Sequence, residues 1–327
     1  MSANSVTLHD GSPWLWVLLA LAVLVVIFFG SYRESVSSWT AVGEGPPIVI
    51  KQSELESMAK AQAGEVVVYY SDAAMESVAT QIAEELAHAY AFIAERLGWK
   101  PYPAGLVLIG GERPGAVRVE GEGELGMTFG LWLPTETIAE GLTQASEDVL
   151  DMIYWVMPHE ATEPLFSQKL YHDCGTRWVG DGLAEYAAYI VSGQFRPDVQ
   201  QARLKGRLRT IERLLEQGKK SYNLPQEFQA FRSVQIVFLR LGCAKSPHEV
   251  MVAGYAVALA IWLDLVDKYG EELVRRFWQE LQKLSRPTNQ DVFRILGTLT
   301  GEDIKVKITQ VDLQYAAEVL KKHLTSN

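Results

Sequence analysis

The chain has 327 residues, 48% of them hydrophobic and 21% charged, enough for a sizeable core in one or two domains and too apolar for a disordered protein. Forty acidic residues against thirty basic ones give a formal net charge of -10. That balance excludes a general nucleic-acid binder, which needs Lys and Arg clustered against phosphates.

Residues 1–12 form a polar tail. Residues 13–32 are expected to be a transmembrane helix, because Trp14 to Gly30 runs for seventeen residues without a charge. At about 1.5 Å per residue that run reaches about 26 Å, the short end of what crosses a hydrocarbon core of about 30 Å. Trp14, Trp16 and Tyr32 fall where aromatic rings favour the headgroup level. No basic residue precedes the run and no small-x-small site follows it directly, which argues against a cleaved signal peptide. Arg33, followed at once by Glu34, biases the soluble part toward the cytoplasm by a single residue. Residues 33–63, with Gly43, Gly45, Pro46 and Pro47, are expected to be a juxtamembrane linker.

The globular part is expected from residue 64. Glu65 to Tyr70 is short, β-branched and aromatic and predicts a strand; Ser71 to Gly98 then places Val78, Ile82, Leu86, Tyr90, Ile93 and Leu97 at helical spacing. Gly105 to Ile109 predicts a second strand, 110–126 a Gly-rich charged loop, and Met127 to Leu133 a strand near the sheet edge. From Ser146 onward the pattern is helical. The expected class is α+β, a small twisted sheet lobe over 64–145 and an α-helical lobe over 146–327, without internal repeats.

The helical lobe contains His159-Glu160-Ala161-Thr162-Glu163, with Asp181 eighteen positions after Glu163 inside Gly180-Asp181-Gly182-Leu183-Ala184-Glu185-Tyr186. A His-Glu-x-x-His helix puts two imidazoles one turn apart, with the Glu between them placed to take a proton from metal-bound water. Here Glu163 replaces the second imidazole. These passages, with Gly254-Tyr255-Ala256-Val257 to Lys268-Tyr269-Gly270, resemble the gluzincin (peptidase MA-like) metallopeptidases related to aminopeptidases and thermolysin. The resemblance runs over roughly residues 64–305 by the order of elements.

That resemblance implies His159 as first metal ligand, Glu160 as general base in an active enzyme, Glu163 in place of the second imidazole, and Asp181 in place of the ligating Glu. Glu185, one turn after Asp181, would support the site rather than bind metal. One imidazole with carboxylates can hold Zn, or shift preference toward Mn, Mg or Ca. Pro158 and Pro164 bracket the motif, which leaves open whether Glu163 shares a face with His159. Met251 stands where resembling families often place an oxyanion-stabilising Tyr, so that donor is expected to be absent.

The expected function is therefore a membrane-anchored peptidase-like protein that is catalytically inactive, holds no metal, and serves as an accessory subunit among membrane proteins. The alternative is an active metal-dependent peptidase using Glu160. Similar proteins are commonly exported, which implies an extracytoplasmic soluble domain against the Arg33 bias. His172 with Asp173 could rescue a ligand or be a surface polar pair, and His88 and His248 suit packing or capping. Gln201 to Gly218 puts Leu204, Leu208, Ile211 and Leu215 on one face and Arg203, Lys205, Arg207, Arg209 and Arg213 on the others. It offers a surface for anionic lipid or an acidic partner, or a plain solvated face. Cys174 and Cys243 are open as a disulfide or as two thiols.

Overall fold

Regular structure is found within the second half of the predicted linker, from Ile48 onward. A computed structural model describes residues 48–102, 105–110, 117–120, 128–170, 172–229 and 248–325. The predicted tail and membrane span lie outside these residues. Among the described residues no helix is long and apolar enough to cross a membrane. Residues expected to be linker instead form β1 (Ile48–Lys51), α1 (Gln52–Ser57) and β2 (Ala59–Ala63). Backbone pairing explains this, because β2 runs antiparallel along β3 (Val66–Tyr70) from Ala59 opposite Tyr70 to Ala63 opposite Val66. A strand of small and polar residues is held there by its partner rather than by its own propensity.

The long helix α2 (Glu76–Leu97) follows the predicted spacing, burying Val78, Ile82, Leu86, Ile93 and Leu97 against β2 and β3. It ends at Gly98, whose φ of 69° gives the left-handed cap that glycine adopts without a Cβ clash. Strand β4 (Gly105–Gly110) then pairs in parallel with β3. Within the predicted loop lies β5 (Val117–Glu120), paired in parallel with β1 as a separate two-stranded ribbon. Strand β6 (Thr128–Leu133) closes the main sheet at its edge, giving the order β2-β3-β4-β6.

The rest is helical. Short α3 (Thr135–Glu140) and α4 (Glu147–Asp151) lead through a π-helical turn at Met152–Val156 into α5 (Met157–Leu170). Then come α6 (Arg177–Phe195), α7 (Pro197–Glu216), a short strand β7 (Ser221–Tyr222) and α8 (Leu224–Glu227). After 230–247, outside the described residues, follow α9 (His248–Tyr269), α10 (Glu272–Gln282), α11 (Asn289–Thr300), α12 (Ile304–Thr309), β8 (Val311–Asp312) and α13 (Leu313–Thr325). Helix α6 is the centre of the lobe and packs against α5, α7 and α9. Gly182 makes this possible: a Cβ there would sit 2.7 Å from the ring of the fully buried Trp262 on α9. Sheet and helices share one continuous apolar core, and residues 46–327 form one compact unit.

Candidate functional site

The motif helix survives both of its prolines. In the π-helical turn the Met157 N–H bonds to the Met152 carbonyl five residues back, and the next residue, Pro158, has no N–H to give. Pro164 lies within α5, which continues unbroken to Leu170. Packing of Ala161, Phe166 and Leu170 in the core, each fully buried, outweighs a local cost of about 3 kcal/mol for the interior proline. His159 and Glu163 therefore do share a face, with His159 Nε2 3.9 Å from Glu163 Oε2.

Helix α6 supplies the opposing groups one turn apart. Asp181 Oδ1 lies 3.8 Å from His159 Nε2, and Glu185 Oε1 lies 3.2 Å from His159 Nδ1, so the imidazole is flanked on both nitrogens. His159, Asp181 and Glu185 are buried, while Glu160 and Glu163 are half-buried. Each α6 carboxylate also has its own cation. Arg177 Nε donates to Asp181 Oδ2 at 2.6 Å, and Arg207 on α7 donates through two nitrogens to Glu185 at 2.9 and 2.6 Å.

Aromatic rings enclose the guanidinium groups. Arg177 lies 4.6 Å over Phe228 and 5.6 Å over Tyr255, and Arg207 lies 5.3 Å over Tyr255 from α7. A second Arg177 nitrogen donates to the Tyr255 hydroxyl at 2.9 Å. The sequence signal for that tyrosine was displaced by one turn: Tyr255 stands four residues after Met251, and so on the same side of α9. Tyr255 is half-buried with its ring 5.9 Å from the His159 imidazole, so a phenol stands beside the motif although position 251 supplies none.

Titration follows from these partners. Burial raises the Glu163 carboxyl to about 8, helped by the charges of Asp181 and Glu160, and burial likewise raises Glu160. Burial would also raise Glu185, but the Arg207 charge and His159 bring it down to about 2. Asp181 is lowered in the same way, with Arg177 overcoming its burial. Burial opposes the charged form of His159, yet the Asp181 and Glu185 carboxylates beside it raise it well above the ordinary imidazole value. Burial, then the nearby Asp181 charge, raises the Tyr255 phenol well above its ordinary value, so it stays protonated.

The donor types fit a divalent cation. His159, Glu160 and Glu163 each bring one ligand atom within 4.8 Å of the others. Asp181 Oδ1 is fully buried without a hydrogen-bond partner, as a ligand oxygen would be. Two atoms each about 2.1 Å from one ion are no more than about 4.2 Å apart, and the spans from His159 Nε2 to Glu163 and to Asp181 fall under that limit. A bound ion there would polarise a carbonyl and acidify water. The compact trio nevertheless contains Glu160, the expected base, in place of Asp181, which is drawn to Arg177.

Other expected residues fall elsewhere. The Asp173 carboxylate accepts from the backbone of Gly175 and Asn289, so it does not back an imidazole. His88 is exposed on α2, and His248 begins α9. Two of the basic residues on that helix are turned inward: Arg203 pairs with Asp151 and lies 5.9 Å from the Trp155 ring, and Arg207 serves Glu185. Both sit in phase with the buried Leu204, Leu208 and Ile211, leaving Lys205, Arg209 and Arg213 exposed. Cys174 is disulfide-bonded; Cys243 lies outside the described residues.

No family model matches the chain. No curated protein matches it either. Among solved structures, the chain is similar to aminopeptidase A of Legionella pneumophila, determined in complex with aspartic acid, at 14% identity and a TM-score of 0.46. That match covers 78% of this chain and 28% of the aminopeptidase, so the chain spans less than a third of its length.

Proposed function

We propose that this is a membrane-anchored, gluzincin-like protein whose former metal site has become a closed ionic core, and that it serves as a non-hydrolytic accessory subunit among membrane proteins. One observation carries this reading. Three cations, Arg177, Arg207 and the protonated His159, face four carboxyls, two of which burial pushes toward the neutral form. The cluster is near charge balance from its own side chains. A buried pair is costly to break and adds little over an apolar core, so such a cluster is retained for specificity of structure or by descent. The apolar run at 14–30 supports the anchor, and the Cys174 disulfide supports an oxidising, extracytoplasmic compartment.

A second reading is favoured by the unpartnered Asp181 Oδ1 and by Tyr255. In it His159, Glu163 and Asp181 hold a divalent ion, Glu185 orients His159, and Glu160 moves a proton. Metal analysis of the full-length protein in detergent, with peptide hydrolysis measured beside it, separates the two. The first reading expects far less than one metal per chain and the same background hydrolysis for wild type and Glu160→Gln. Stoichiometric Zn or Mn, with hydrolysis abolished by Glu160→Gln, establishes the second reading instead.

A further inference from the structure

We infer that an open cleft between the starts of α8 and α11 and the side of α12 is a docking surface for an acidic peptide segment of a partner protein. This rests on the accessory-subunit reading above and gives it a place on the molecule, since none of the motif residues lines the cleft. Its volume is about 500 Å³, comparable to clefts that enclose drug-sized ligands. The Asn289 side-chain oxygen accepts from Trp178 Nε1 at 3.1 Å, and the Asn223 side-chain oxygen accepts from the Gln226 N–H at 3.3 Å. Each bond orients its amide and leaves the Nδ2 group without a partner among the described residues.

Asp173 and Lys305 are the charged residues of the lining. Both Asp173 oxygens are spent on backbone donors, Oδ1 on Gly175 and Oδ2 on Asn289, whereas the exposed Lys305 ammonium has no partner among the described residues. The amides held in place thus offer donors, and the charge left unpaired is positive. Half-buried Phe293 also lines the cleft, its ring stacked on the fully buried Trp178 with centroids 6.4 Å apart. Trp178 therefore anchors both Asn289 and Phe293 to the core before any ligand arrives. Val306, next to Lys305 on α12, is 60% exposed, more than any other large hydrophobic residue described. A small free anion would leave these apolar surfaces in water. A peptide covers them with an apolar side chain while its carboxylate meets Lys305 and its backbone carbonyls meet the amides. A lipid surface is the poorer fit, because headgroup binding needs several clustered cations.

The test uses full-length protein in detergent and a random dodecapeptide library displayed on phage. Wild type should enrich peptides in which an acidic residue stands beside an apolar one. For the strongest of these, made as a fluorescent synthetic peptide, Lys305→Glu should weaken binding about tenfold or more and Val306→Ser severalfold. Both variants alter exposed side chains and should melt with wild type. Lys205→Glu, the same charge change on the exposed face of α7, should bind as wild type does.

A selection that yields no acidic peptides overturns the inference, and so does an acidic peptide whose affinity is unchanged in Lys305→Glu or falls equally in Lys205→Glu. Binding lost in Lys305→Glu, unchanged in Val306→Ser and displaced by inorganic phosphate as well as by free peptide reduces the cleft to an anion site and overturns the peptide partner. Cleavage of the bound peptide by wild type, with Glu160→Gln binding it intact, is a separate result: it removes the non-hydrolytic reading and leaves the cleft standing.

Discussion

Glu185 is a carboxylate that evolution could have left as a helix-surface group, and instead it is 1% exposed with two hydrogen bonds from Arg207 and an imidazole nitrogen at 3.2 Å. Removing one member of a buried, hydrogen-bonded pair leaves the other uncompensated. Arg207→Ala should therefore lower the unfolding free energy by about 3 to 5 kcal/mol in a denaturant titration, and adding Glu185→Gln should recover part of the loss. A double variant whose loss equals the sum of the losses of Arg207→Ala and Glu185→Gln would show that the pair is not coupled. At this scale the sequence was informative about His159, Asp181 and Glu185, whose spacing fixes their faces. It was silent on their counter-ions, because Arg207 reaches Glu185 across two helices and nothing in either segment records that meeting.

The packing of α6 on α9 depends on an absent side chain. A Cβ at Gly182 would lie 2.7 Å from Trp262 Cδ1 and 3.1 Å from the Ala258 Cβ. Trp262 is fully buried and has nowhere to retreat, so Gly182→Ala should destabilise by about 1 to 3 kcal/mol despite the better helix propensity of alanine. An increase in melting temperature would refute the close approach. Helix α11 depends on its start: Thr288 accepts from the Asp291 N–H while Asp291 accepts from the Thr288 N–H. Thr288→Ala should cost about 1 kcal/mol.

That cap also carries a pH signature. Backbone hydrogen bonding from Thr288, aided by Arg294, holds Asp291 at about 2. Its folded-state pKa is depressed, so its contribution is complete above the ordinary carboxylate value near ~4 and disappears as pH falls through about 2. The difference in midpoint between wild type and Asp291→Asn should shrink between pH 5 and pH 2, approaching zero at the acid end. A difference independent of pH would assign it to something other than the carboxylate. Elements with strong periodicity, such as Glu76–Leu97, were legible in the sequence to within a few residues. Those stabilised by a distant partner were not, as with Ala59–Ala63, whose ladder to β3 overrides a composition that suggests a linker.

On the scale of the molecule, residues 46–327 gather into one unit whose sheet and helices share an apolar core. A chain beginning at Pro46 should remain soluble after alkaline carbonate treatment, while the full chain should sediment with membranes if residues 13–32 anchor it. Sedimentation of both forms would shift the membrane attachment to the folded unit. The order of elements, most of the strands first and mostly helices after, was readable from the change of hydrophobic period near Ser146. The order of strands was not, because β5 leaves the main sheet to pair with β1, a choice made by long-range register that periodicity does not encode.

The π-helical turn at Met152–Val156 acts as a phase adjuster between two helical segments with different obligations. Upstream, Asp151 must meet Arg203 on α7; downstream, His159 must meet Asp181 and Glu185 on α6. An unbroken α-helix advances about 100° per residue and would tie both orientations to one angular sequence. Widening a single turn frees each half to choose its own bearing. A chain one residue shorter there would have to surrender either the Arg203 pairing or the imidazole's place between its carboxylates, and the ionic core would lose its centre.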